Sequence, residues 1–208
     1  MQIPDRRVLF FGDSLVAGAG DPTGLGWVGR VTSASSGAGL PVTAYNLGVR
    51  GDTSVQVAAR SRHETGPRLA SGVDTRIVVS FGANDTTIED GVQRVDAERS
   101  CLALSDILER ARAIGLPTLM VGPAPVEDAE QNRRIERLSA AFGEICASPG
   151  VPFIAVIEAL KGSKVWGREI ASGDGAHPSS AGYAALARLV LRAGWLNWLA
   201  EHGGLLGA

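Results

Sequence analysis

The stretch Phe10-Phe11-Gly12-Asp13-Ser14-Leu15 decides how the rest of the chain reads. It continues from Arg6-Arg7-Val8-Leu9, so a polar start leads into an apolar run without helical spacing. Such a run suits a short strand buried on both faces. Gly18 and Gly20 follow and mark a loop. Ser14 therefore stands just past the C-terminal end of a first strand, the edge at which open α/β sheets bind ligands. A hydroxyl there is placed to act as a nucleophile, although a lone serine at such a position is more often a cap or turn residue.

Outward from that stretch, strands and helices alternate. Further strands are expected over 41–48, 76–81, 118–122 and 151–157, from their apolar, β-branched and aromatic content. Helices are expected over 26–37, 54–62 and 91–114. A fourth carries Ile135, Leu138, Phe142 and Ile145 on one face, and a last one starts near Ser179 and runs through Tyr183, Leu186 and Val190. The segment 161–172, with Trp166, reads as less regular, and the tail 203–208 as frayed. With no repeat or linker, the pattern predicts one domain over residues 1–208. It is a three-layer α/β/α sandwich around a five-stranded parallel sheet with right-handed crossovers and the flavodoxin-like order 2-1-3-4-5.

The 208 residues suffice for one sizeable core, and 45% hydrophobic with 20% charged residues is an ordinary globular balance. A formal net charge of -2 gives no electrostatic case for a nucleic-acid partner. No apolar run is long enough to span a bilayer, so no transmembrane segment is read. The start, Met1-Gln2-Ile3-Pro4-Asp5, lacks the parts of a signal peptide, which leads to the expectation of a cytoplasmic protein. Cys101 and Cys146 lie on or beside apolar helical stripes and read as inert core thiols. His63, His177 and His202 are not at ligand spacing, so no metal site is read.

Three more segments end at the same sheet edge as Ser14. Gly48-Val49-Arg50-Gly51-Asp52-Thr53-Ser54 is a strand-to-helix turn in which Asp52 and Thr53 are good N-caps. Amides near Gly51 and the helix start suit an anion, while a plain capped turn fits equally well. Gly82-Ala83-Asn84-Asp85 puts an amide donor, or else a turn residue, after the third strand. Asp174-Gly175-Ala176-His177-Pro178 precedes the last helix. Its Asp and His can meet across one turn, the carboxylate holding Nδ1–H so that Nε2 faces outward as a base. A hydroxyl, a base with its orienting acid, a backbone N–H and an amide donor are the parts that acyl transfer needs. Trp27 either lines a pocket or packs at a helix start, with packing favoured. Arg50 either meets an anionic group on a substrate or points to solvent, with solvent favoured.

These four blocks, in this order and spanning nearly the whole chain, resemble the SGNH (GDSL) hydrolase superfamily. The resemblance implies that Ser14 is the nucleophile, His177 the base and then the acid, and Asp174 its orienting partner. The oxyanion hole would be the backbone N–H groups of Ser14 and Gly51 with the side chain of Asn84. Gly48 would be a turn residue, and Asp13 would bond backbone amides. The implied activity is that of an esterase or lipase acting on carboxylic esters or thioesters through an acyl-enzyme, with no metal or organic cofactor. Small acyl groups are favoured because the connecting loops are short and suggest an open, shallow site. The partner is a small-molecule ester.

An α/β-hydrolase elbow is set aside, since Val16 stands where Gly-x-Ser-x-Gly needs its second glycine. A dinucleotide-binding turn is also set aside, since Thr23 occupies the place of the third glycine. Within the same chemistry, acyl transfer to an alcohol and deacetylation of a carbohydrate stay open. A non-catalytic flavodoxin-like binding module would leave Asn84 and the Asp174/His177 pair without a reason.

Overall fold

A computed structural model describes residues 5–201. The central strand is β1, Arg6–Gly12. Its residues alternate between two cores. Val8 and Phe10 face one layer and Leu9 and Phe11 the other, and all four are fully buried. A strand covered on both sides can therefore be apolar throughout. The other strands of the sheet are β2 (Thr43–Gly48), β3 (Asp74–Ser80), β4 (Thr118–Val121) and β5 (Phe153–Ile154). All neighbours are parallel, and the order is β2-β1-β3-β4-β5. The expected five-stranded parallel sheet and its order are present.

On the Phe10 side pack α2 (Gly26–Gly37), α7 (Lys164–Ala171), α8 (Ser180–Val190) and α9 (Leu196–Ala200). On the Phe11 side pack α3 (Ser54–Thr65), α4 (Ala97–Ala113) and α5 (Ala129–Ala147). Trp27 meets Phe10 edge-on at 5.7 Å, and Trp195 stacks on Phe10 at 5.8 Å. Truncating such a fully buried aromatic to alanine costs about 3–5 kcal/mol.

Four sequence expectations are corrected. The segment 91–114 is not one helix. Its first part is the return strand of a hairpin, Ile88–Glu89 with Val92–Gln93, and α4 starts only after the Asp96 cap, whose side chain accepts from Arg99 N at 2.8 Å. Asp90 and Gly91 both have positive φ, which a tight hairpin turn demands. The fifth strand is shorter than 151–157, because an edge strand needs few bonds and the chain turns into α6, Ile157–Lys161. The segment 161–172 is ordered: α7 is capped by Ser163, and Trp166 is buried with Nε1 donating to Pro125 O at 3.0 Å. Beyond α8 the chain continues through a π turn, Leu191–Trp195, with Gly194 at φ 104, so that Trp195 and Trp198 also join the core. The tail 203–208, expected to fray, lies outside the described residues.

Candidate active site

Ser14 is the first residue of α1, Ser14–Ala17, a single turn between the Asp13 cap and Gly18 in the left-handed region. Asp13 Oδ1 accepts from Leu15 N at 2.9 Å, so the preceding carboxylate fixes this turn and leaves the Ser14 hydroxyl free. Close approach explains two glycines here. A Cβ on Gly12 would lie 2.1 Å from Ser80 O, and one on Gly48 would lie 2.2 Å from Ala17 N. Gly48 is thus needed for space, as the last residue of β2, and not as a turn residue.

His177 reaches Ser14 across the chain: Nε2 lies 2.7 Å from Oγ, and Nδ1 lies 2.6 Å from Asp174 Oδ2. Asp174 Oδ1 also accepts from Ala176 N at 3.1 Å and His177 N at 2.9 Å, the tight turn that Gly175 permits with φ +81. Partial burial pushes the Asp174 carboxyl up, but its bonds to the His177 ring and to the two amides outweigh this and hold it down at about 2. An ionised carboxylate only accepts, so Nδ1 carries the proton of the neutral ring and Nε2 is left to accept from the Ser14 hydroxyl.

The two loops are tied together beside this contact. Tyr183 Oη donates to Ala19 O at 2.6 Å, and Ser180 Oγ donates to Asp21 Oδ1 at 2.8 Å. Gly20 lies against His177, where a Cβ would come within 3.1 Å of the histidine Cβ. Asp21 is also paired with Arg30; burial raises its pKa, yet the bonds from Arg30, Thr23 and Ser180 win and place it below the usual carboxylate range.

The cleft over Ser14 has a volume of about 570 Å³ and includes Asn84, Asp174 and His177 in its wall. Asn84 Nδ2 donates to Asp52 O at 2.9 Å. Gly51, at φ +80, is exposed on the turn next to Asp52. Arg50 is exposed beside it and is not part of the cleft wall. Trp27 is fully buried against Phe10, because the start of α2 packs onto the sheet rather than over the cleft, so the favoured packing reading stands and the substrate-contact alternative is corrected. Thr53 caps α3, its N–H donating to Gln56 Oε1 at 2.8 Å, whereas Asp52 pairs with Arg60. The anion at the N-terminus of α3 is the protein's own. Asp85, fully buried, accepts from Ser54 N at 3.0 Å and from Ser100 Oγ at 2.7 Å. Asp85 was readable only as a turn residue, since its partners are far away in sequence.

Asp13 shows the cost of this crowding. Burial, opposed by the Leu15 N–H and reinforced by the charges of Asp85 and Asp52, pushes its carboxyl up to about 7. Of the two thiols expected in the core, Cys146 is fully buried there, whereas Cys101 is only partly buried against it. Burial lifts Cys146 to about 11, and burial with the Glu144 charge also raises Cys101. No helix among the described residues is long and apolar enough to cross a membrane.

Residues 10–185 match the GDSL-like lipase/acylhydrolase family, and the chain belongs to that family. It is 28% identical over 183 residues to esterase TesA of Pseudomonas aeruginosa, covering 86% of this chain and 83% of that protein. The lipase/acylhydrolase of Enterococcus faecalis has a similar structure, with a TM-score of 0.74 and 25% identity over 90% of this chain and 94% of that one. The acetylxylan esterase Axe2 of Geobacillus stearothermophilus shares the fold, with a TM-score of 0.74 and 20% identity over 97% of this chain and 100% of that one. The chain is a GDSL-type hydrolase of ester bonds.

Proposed function

We propose that the chain cleaves carboxylic esters or thioesters with small acyl groups through an acyl-enzyme on Ser14. The observation that carries this reading is the continuous Asp174–His177–Ser14 contact, 2.6 Å and then 2.7 Å. Ser14 Oγ attacks the acyl carbon while its proton passes to His177 Nε2. The carbonyl oxygen becomes an oxyanion, met by the N–H groups of Ser14 and Gly51 and by the side chain of Asn84. Collapse of the tetrahedral intermediate breaks the bond to the alcohol or thiol, which leaves with the proton from His177. Water then loses a proton to the same nitrogen and attacks the acyl carbon, releasing the acid and restoring Ser14. Asp174 stays ionised throughout and holds the ring.

The reading of small acyl groups is supported by the limited apolar part of the cleft wall, confined to Leu15, Ala83, Val126 and Ala176 in a wall whose other residues are mostly polar. The reading treats the chain as one catalytic domain working in the cytoplasm. A panel of aryl esters graded by acyl length, with acetylated sugars and an acyl thioester, tests it. Acetyl to butyryl esters should turn over fastest. A preference for long acyl chains would contradict the small-group reading, and no turnover of any member would contradict hydrolysis. Ester products formed with added alcohols or sugars would shift the assignment to acyl transfer.

A further inference from the structure

Arg60 lies on α3, outside the sequence blocks that carry the chemistry. Its guanidinium reaches back to the sheet edge and spreads three bonds. Nη2 donates to Gly12 O at 2.7 Å, Nε to Asp52 Oδ2 at 2.6 Å, and Nη1 to Glu64 Oε1 at 3.3 Å. Its plane sits over the Phe11 ring, 5.8 Å from the centroid. The side chain is largely buried, at 18% exposure, as is that of Asp52 at 11%.

Two of these bonds land beside the reacting groups. Gly12 O is the last carbonyl of β1, two residues before Ser14, and it also accepts from Val49 N at 3.0 Å. Asp52 follows Gly51 directly, and its own carbonyl receives the Asn84 amide. One rigid fork therefore spans the segment that carries the Ser14 N–H and the loop that carries Gly51 and orients Asn84.

We propose that Arg60 is a positioning residue that sets the spacing between the Ser14 N–H and the other two donors of the oxyanion hole. The inference rests on the assignment of that hole above. Arg60 meets no substrate and acts only through Gly12 and Asp52. A donor helps a developing oxyanion only from its preorganised place, and a displacement of about 1 Å can cost about 10²-fold in rate. Arginine suits this task because its donors are fixed in one plane; lysine offers a point charge on a flexible stem and cannot hold both acceptors in this geometry.

The test uses the full chain and an aryl acetate. Arg60→Ala should lower kcat by on the order of 10²-fold with KM changed less than about twofold, and Arg60→Lys should fall by ~10-fold or more although its charge is kept. Added methylguanidinium should partly restore kcat of Arg60→Ala, and methylammonium should not. Affinity for a methyl trifluoromethyl ketone, whose adduct bears the oxyanion, should fall in step with kcat/KM. Glu64→Gln removes only the outer arm and should leave turnover unchanged. Should Arg60→Ala fail to fold, Asp52→Asn removes the same ion pair with the shape kept and should show the same split between kcat and KM. Folded Arg60→Ala or Asp52→Asn with kcat within about twofold of the parent would overturn the proposal, as would a lower kcat with trifluoromethyl ketone affinity intact. Aryl acetate turnover by the parent separates the two levels: its absence counts against the hydrolase reading, and its presence with normal Arg60 variants counts against this inference alone.

Discussion

The Asn84 side-chain amide donates one hydrogen to the main-chain carbonyl of Asp52, 2.9 Å away and 32 residues apart in sequence. That bond orients the amide and leaves its second hydrogen available at the cleft wall, where Asn84 stands. A donor set this way gains strength as the carbonyl oxygen becomes negative, so its worth falls on the transition state.

Asn84→Ala should therefore lower kcat by on the order of 10²–10³, or ~3 kcal/mol, and leave KM nearly unchanged. Asn84→Asp should be at least as slow, because a carboxylate repels the oxyanion. The lost bond to Asp52 should cost only about 1 kcal/mol of stability. Kinetics and melting temperature on one Asn84→Ala preparation check this. Normal kcat in folded protein would make Asn84 a turn residue only.

The pH dependence should report His177 and not Asp174. With Asp174 held down at about 2, its carboxylate is already ionised above pH ~4 and cannot produce an acid limb at higher pH. Protonation of His177 Nε2 removes the acceptor of the Ser14 proton, so kcat/KM should fall on acidification with a slope of one proton. His177→Ala should remove that limb together with most of the rate. Asp174→Asn should lower kcat by ~10²–10⁴, since an amide no longer enforces the Nδ1–H tautomer. A parent profile without an acid limb, or a limb that persists in His177→Ala, would contradict a histidine base.

Asp13 should make the fold less stable as pH rises from about 4 to about 7. Its carboxyl is pushed up to about 7 from 3.8, so between those values the folded protein holds a proton that the unfolded chain has released. Stability must then fall as pH rises through that window, by at most on the order of 4 kcal/mol. Asp174 acts in the opposite sense and in a lower window. Its stabilising contribution is complete above pH ~4 and is lost as pH falls towards 2. Melting temperature from pH 5 to pH 8 should therefore drop less in Asp13→Asn than in the parent, and equal slopes would refute the assignment.

The sheet was legible from short-range signals, and the candidate site from four short blocks in a fixed order. Phe10 and Phe11 announce a strand covered on both faces, and Asp174 and His177 can meet because three residues close one turn. Ser14 and Asn84 each read equally as cap or turn residues when taken alone, and the resemblance of the four ordered blocks to a known family is what singled them out together with His177. The features that escaped depend on distant partners or on very short elements. Arg60 owes its place to Gly12, 48 residues away, and Asp85 owes its place to Ser54 and Ser100. The hairpin before α4 has two-residue strands, too short for any period to show, and only Asp90-Gly91 marks its turn. Trp27 looked the same in sequence whether buried or lining a cleft. Its contact with Phe10 depends on how α2 crosses the sheet.

The most direct measurement is covalent labelling with a fluorophosphonate, followed by mass analysis of the intact chain and its peptides. The Ser14–His177 contact predicts one adduct, on Ser14, with complete loss of esterase activity. Ser14→Ala should take up no label and turn over no ester, and His177→Ala should label far more slowly. An adduct on another serine, or a Ser14→Ala protein that keeps its activity, would contradict the account.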